Sequence, residues 1–181
     1  MIEFPLHTLE TAPASSRAVL ASAGMPCSTL PNMLRTMAES PATLKGFEAL
    51  RHAFSQSSLT PLEQQVVYLT VAQKNACHYC TTQINMFDGS EEAQAAAEAI
   101  RAERPLGNRR LQALRRFTAE MTTERGWASD AVVAGMLDAG FTHGQVLDTI
   151  AGIALATMTS YVNHVAATPI DGPAPRATLD A

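Results

Sequence analysis

The sequence carries no excess of positive charge: thirteen Lys and Arg face seventeen Asp and Glu, for a net charge of −4. Such a balance does not gather phosphates, so neither nucleic acid nor an anionic membrane surface is an expected partner. Charge of either sign is scarce, at 17% of residues against 46% apolar, and Gly and Pro number only ten each. Disordered, collagen-like and low-complexity chains are thereby excluded, and 181 residues suffice to bury a core without disulfide staples. No long apolar run is present. The stretch Val146 to Val162 is interrupted by Asp148, Thr149, Gly152, Thr157, Thr159 and Ser160, and reads as a buried helix rather than a membrane span. The start Met1-Ile2-Glu3-Phe4-Pro5 lacks the basic and apolar regions of a secretion signal, so a cytoplasmic protein is expected. Cysteine is rare as well. Three thiols cannot all pair within one chain, and a non-exported protein keeps them reduced, which leaves chemistry or packing as their use.

Period-two strand patterns and internal repeats are also missing, whereas helix signals run the length of the chain, so the fold class expected is all-α. Ser40-Pro41 predicts a helix over Pro41–Ser55, with Leu44, Phe47, Leu50 and Phe54 on its apolar face. Thr60-Pro61-Leu62-Glu63 has the spacing of a capping box and opens a second helix, on which Leu62, Val66 and Leu69 form a stripe widened by Val67 and Val71. Asn75 is its expected left-handed stop, which puts Cys77 and Cys80 at or just beyond a helix end. Further helices are expected from Ser90 to about Ala102, from near Asn108 to Glu124, from Ser129-Asp130 to Gly140, and from the capping box Thr142-His143-Gly144-Gln145 to His164 or Ala167. Residues 1–25 read as a loosely docked lead-in, 26–168 as a single helical domain and 169–181 as a tail. Six of the thirteen basic residues, Arg101, Arg104, Arg109, Arg110, Arg115 and Arg116, fall within sixteen positions; a solvated helix face or subunit contact is the expected use, with an anion site as the alternative.

Cys77-His78-Tyr79-Cys80 is the sharpest chemical feature. Thiols three residues apart face one side of a helical turn and can close a disulfide. A Cys77 at a helix N-terminus would have its thiolate stabilised by the dipole and free N–H groups, with positive charge from His78 added; one thiol attacks a peroxide or disulfide and the other resolves the product. Zinc needs about four ligands, and beyond this pair only Cys27 and the scattered His52, His143 and His164 are available, so no metal is expected. Two buried cysteines serving as small apolar side chains are the bland alternative. No βαβ pattern precedes the motif, which excludes a thioredoxin fold. Cys27 in its Met25-Pro26-Cys27-Ser28 loop reads as a packing thiol, and most of the eight methionines, Met33, Met37, Met86, Met121, Met136 and Met158 among them, as core.

The run from Leu59-Thr60-Pro61-Leu62-Glu63-Gln64-Gln65-Val66-Val67 through Ala72-Gln73-Lys74-Asn75-Ala76-Cys77-His78-Tyr79-Cys80 resembles the alkylhydroperoxidase D-like, or carboxymuconolactone decarboxylase, superfamily. Leu30-Pro31-Asn32-Met33-Leu34, Ser40-Pro41, Tyr161-Val162-Asn163-His164 and Thr168-Pro169-Ile170-Asp171 extend the resemblance over most of residues 25–171, and it is strongest to a peroxidase-related branch. It implies an all-helical homo-trimer or homo-hexamer without cofactor, in which Cys80 attacks a hydroperoxide and Cys77 resolves it as a disulfide. The substrate would be a hydroperoxide or disulfide, and the reductant a thiol protein or dithiol. Two positions depart from the pattern. The family's proton relay has a Glu twelve residues before the first cysteine and a His four after the second; here Gln65 and Ile84 stand there, and neither can relay a proton. Glu63 lies on another side of its helix and is expected to cap it. A substitute base would be His78, next to the thiols, or His164, at a helix C-terminus that favours imidazolium; an ordinary surface or capping role is the alternative for each. Tyr79 reads as core or a hydrogen-bond partner, with its hydroxyl a candidate assistant. The function expected is a thiol-dependent oxidoreductase cycling Cys77 and Cys80. A non-enzymatic redox-sensing or interaction module is the alternative, and a lactone decarboxylase is disfavoured because that branch does not use the cysteine pair.

Overall fold

A computed structural model describes residues 3–22, 30–82 and 88–172, and every element among them is helical. The helices are α1 (Ala14–Ser22), α2 (Asn32–Met37), α3 (Pro41–Ser55), α4 (Pro61–Lys74), α5 (His78–Thr82), α6 (Glu91–Arg101), α7 (Arg109–Thr123), α8 (Asp130–Asp138) and α9 (His143–Ala166). The starts follow side-chain chemistry. Ser40, Thr60, Ser90, Asn108 and Thr142 each accept a first-turn backbone N–H, and Thr60 and Thr142 form complete capping boxes with Glu63 and Gln145. Ser129 makes no such bond. Its backbone N–H instead donates to Glu120 Oε1 at 2.6 Å.

α4 is the centre of the bundle, packed by α6, α7 and α9. Every residue from Glu63 to Ala72 is buried, which matches a helix apolar on most of its circumference rather than along one stripe; Leu62, placed on that stripe by periodicity, is only half-buried. α9 crosses α3 and α4 closely at Gly152. A Cβ there would lie 2.5 Å from Phe54 Cζ and 2.8 Å from Val67 Cγ1, so the missing side chain sets how near the helices come.

The structure alters several sequence expectations. Residues 3–22 are docked, not loosely attached: Ala12 and Leu20 are buried, the Ser16 hydroxyl donates to the Ala38 carbonyl at 2.7 Å, and α1 packs on α3. The tail is fastened at its start, where Asp171 accepts from the Asn32 N–H at 2.7 Å and the Asn32 amide donates to the Pro169 carbonyl at 3.2 Å. The arginine cluster is more than a solvated face. Arg110 Nε donates to the buried Glu63 at 2.6 Å, its Nη1 donates to the Gly140 carbonyl at 2.7 Å, and the guanidinium lies 3.6 Å above the Phe141 ring. α9 is not buried all round: Leu147, Ile150, Tyr161 and Val165 expose 66, 40, 60 and 70% of their surface. Among the described residues no helix is long and apolar enough to cross a membrane. Cys27, Ile84, Met86 and residues 173–181 lie outside the described residues.

Candidate functional site

The site is built where α4 ends. Asn75 keeps right-handed dihedrals, and the left-handed residue is Ala76, at φ 52°. The Ala76 N–H bonds the Gln73 carbonyl at 3.0 Å and the Cys77 N–H bonds the Ala72 carbonyl at 2.9 Å, the paired closure of a Schellman turn. This shifts the expected stop by one residue and turns the chain directly into α5. Cys77 thereby closes one helix and precedes the first residue of the next, so it occupies the N-cap of α5.

From that position Cys77 Sγ accepts the backbone N–H of Cys80 at 3.4 Å. Both cysteines are free, and both are buried, at 1 and 0% exposure. They are not equivalent. The thiol of Cys80 donates to Cys77, and with the backbone N–H and the charge of His164 this outweighs burial and lowers the Cys77 pKa to about 6. Cys80 moves the other way: donating to its neighbour's thiolate, together with its own burial, holds it protonated far above the ordinary thiol range. The Asn163 amide donates to Cys80 Sγ at 3.4 Å, and the Ser160 hydroxyl lies 3.8 Å from it. Asn163 Oδ1 is buried without a hydrogen-bond partner among the described residues.

Cys77 alone of the pair reaches an open groove of about 640 Å³, whose wall also includes Gln73, His78, Thr81, Thr82 and Arg101. Arg101, the last residue of α6, donates through Nε and Nη2 to the Thr81 carbonyl at 2.9 and 2.6 Å. His78 and His164 are both exposed; His78 lines the groove, and His164 acts on Cys77 through charge.

Gln65 is buried on α4, at 1% exposure, where an amide holds no titratable proton. Tyr79 is buried between the cysteines. Its hydroxyl accepts the Met33 N–H at 3.2 Å and donates to Asp171 Oδ2 at 2.7 Å. Burial first, then the Asp171 carboxylate, pushes its pKa up, so it ties α5 to α2 and to the start of the tail as a protonated phenol. Glu63 serves as the cap, accepting the Thr60 N–H at 2.8 Å, and also holds Arg110. The sequence reading gave no role to Ser160 and used Asn163 only as part of a resembling stretch. Their trace was legible as two polar residues three apart on an apolar helix, one a turn before His164 and one next to it. Among the described residues no group of three or more His, Cys, Asp or Glu is placed to hold a metal ion.

No family profile matches the sequence, and no curated protein does. Solved structures match closely in shape. An uncharacterized peroxidase-related protein from Ralstonia eutropha JMP134, described as an alkylhydroperoxidase AhpD core, superposes with a TM-score of 0.76 at 19% identity, covering 93% of this chain and 92% of that one. A peroxidase-related protein from Silicibacter sp. TM1040 gives 0.72 at 19% identity over 94 and 91%. The debrominase Bmp8, in a cysteine-to-alanine variant complexed with 2,3,4-tribromopyrrole, gives 0.68 at 16% identity over 95 and 92%. Nearly the whole of each chain is matched, so the all-helical fold of the described residues is AhpD-like.

Proposed function

We propose that the protein is a dithiol oxidoreductase in which Cys77 attacks an electrophilic substrate and Cys80 resolves the product. The observation that carries this reading is the Cys77 sulfur itself, which accepts the backbone N–H of Cys80 at 3.4 Å and forms part of a groove wall that Cys80 does not reach. This order of attack is the reverse of the one implied by the family resemblance. With a hydroperoxide, the Cys77 thiolate forms an S–O bond to the terminal oxygen while the O–O bond breaks; the departing alkoxide takes a proton from solvent or from a neighbouring imidazolium. The Cys80 thiol then displaces water from the sulfenic acid, closing the disulfide. Two electrons pass from the sulfurs to the peroxide, and an external dithiol or thiol protein returns them. With a disulfide substrate the same thiolate forms a mixed disulfide, which Cys80 releases. An aryl bromide, the kind of compound held in the Bmp8 complex, is a third electrophile for the pair: two electrons from the sulfurs reduce the carbon–bromine bond, a proton takes the place of the departing bromide, and Cys77 and Cys80 close as a disulfide.

His164 takes over the electrostatic part of the missing relay by favouring the Cys77 thiolate. His78 stands on the groove wall beside the incoming substrate, Tyr79 is a positioning residue that holds α5, and Gln65 is a buried polar neighbour in the position of the family's acid. The test compares wild type, Cys77→Ser and Cys80→Ser for hydroperoxide consumption with a dithiol reductant, with sulfenic acid trapped by dimedone. Turnover is expected to vanish in both variants, with trapped adduct on Cys77 in Cys80→Ser and none in Cys77→Ser. Adduct on Cys80 in Cys77→Ser would restore the opposite order. Equal consumption by all three proteins would leave a non-enzymatic helical module as the reading.

A further inference from the structure

The dithiol reading leaves open what kind of molecule enters the groove, and the charge on its wall addresses this. Arg101 and His78 are there with Cys77, Gln73, Thr81 and Thr82, and no carboxylate lines it among the described residues. The guanidinium is anchored: two of its N–H groups meet one carbonyl, that of Thr81, which fixes it at the end of α5. Glu103, the carboxylate that Gln73 holds at 2.7 Å, interacts electrostatically with Arg115. The groove therefore keeps a fixed positive charge on the wall to which the Cys77 sulfur also belongs, in a chain whose net charge is −4.

We propose that Arg101 makes the groove selective for anionic electrophiles, so that the substrate of Cys77 carries a carboxylate or a group of like charge. This rests on the reading of Cys77 as the attacking thiolate. In the peroxide case the substrate is a hydroperoxide bearing a carboxylate: the S–O bond forms, the O–O bond breaks, the alcohol leaves with its carboxylate intact, and Cys80 closes the disulfide with loss of water. Arg101 forms no bond to the reacting atoms. It acts as a specificity-determining residue through its charge, while His78 adds to the field when protonated.

The test needs no turnover. Reduced wild-type protein, Arg101→Gln and Arg101→Lys are alkylated with iodoacetate and with iodoacetamide, and the rate at Cys77 is read by peptide mass spectrometry. Both reagents form an S–C bond and release iodide; only the first is an anion. The ratio of the iodoacetate rate to the iodoacetamide rate is expected to fall about two- to threefold in Arg101→Gln, the attraction of one charge at about 6–10 Å in a mostly aqueous groove. It should recover most of the way in Arg101→Lys, and fall with added salt in wild type but not in Arg101→Gln. Loss of the anchor on α5 would slow both reagents together and leave the ratio unchanged. An unchanged ratio, or equal ratios in the Gln and Lys variants, overturns the proposal. A falling ratio in a protein that consumes no hydroperoxide would uphold the selectivity and refute the peroxidase reading, so the two failures are told apart.

Discussion

Removing the thiol of Cys80 should raise the pKa of Cys77, and the size of the effect follows from the hydrogen bonds. The Cys77 pKa is lowered to about 6: the bond from the Cys80 side chain is the largest cause, burial opposes it, and the Cys80 backbone N–H and the charge of His164 add to it. Cys80→Ala deletes the first contribution and leaves burial opposed by the backbone N–H, His164 and Ser160, so the midpoint should climb toward the ordinary thiol value of about 8.5. At pH 7 a midpoint of about 6 leaves about nine-tenths of Cys77 as thiolate. A midpoint at about 8.5 would leave about 3%, roughly a thirtyfold loss of nucleophile. The more basic thiolate is the stronger nucleophile by about tenfold over that interval, so the rate at pH 7 drops only about two- to threefold. The midpoint is therefore the quantity to measure. Iodoacetamide alkylation of Cys77, followed by peptide mass spectrometry from about pH 4 to about pH 10, should rise with pH as the thiolate forms, earliest in wild type and latest in Cys80→Ala. Cys80→Ser, whose hydroxyl still donates, should fall between them. A Cys77 midpoint in Cys80→Ala within about half a unit of wild type would refute the reasoning that the inner thiol activates the outer one.

Two further outcomes test the fold around the site. Gly152→Ala should destabilise by about 1–2 kcal/mol, because overpacking against Phe54 and Val67 exceeds the gain in helix propensity, whereas Gly135→Ala in α8, with nothing within 4 Å of its Cβ, should stabilise by about 1 kcal/mol. Thermal melts that move in the same direction for both would refute the close-approach argument. The exposed apolar stripe on α9, Leu147, Ile150, Tyr161 and Val165, reaches at its Tyr161 and Val165 end an apolar cleft of about 320 Å³ that also includes Phe4 and Met37, and should be covered by another copy of the chain. Sedimentation should show a homo-oligomer for wild type, with Tyr161→Glu plus Val165→Glu shifted toward the 19.3 kDa monomer; a wild-type monomer at micromolar concentration would remove the expectation.

Local chemistry made much of the fold legible in the sequence. α3 runs over the Pro41–Ser55 span expected from Ser40-Pro41, and the capping boxes at Thr60 and Thr142 open α4 and α9 as read, because a side chain three residues from its backbone partner needs no tertiary help. The proximity of Cys77 and Cys80 was legible for the same reason. α1 and α2 were missed: they are short, with weak or absent cap signals, and they are held by distant partners such as the Ala38 carbonyl and the Asp171 carboxylate. The stop of α4 was misplaced by one residue, since the Schellman closure puts Ala76 in the left-handed region despite its Cβ. Only the tertiary structure decided which of the two thiols opens on a groove. Their sequence spacing is symmetric, but one sulfur forms part of the wall of a groove that runs on to the end of α6, while the other lies against Ser160 and Asn163 eighty residues along the chain. Spacing along a helix sets which groups can meet, and the Cys80 N–H on the Cys77 sulfur is such a local contact; which of the two sulfurs opens on a groove is set by the elements packed around the turn, which no local pattern encodes.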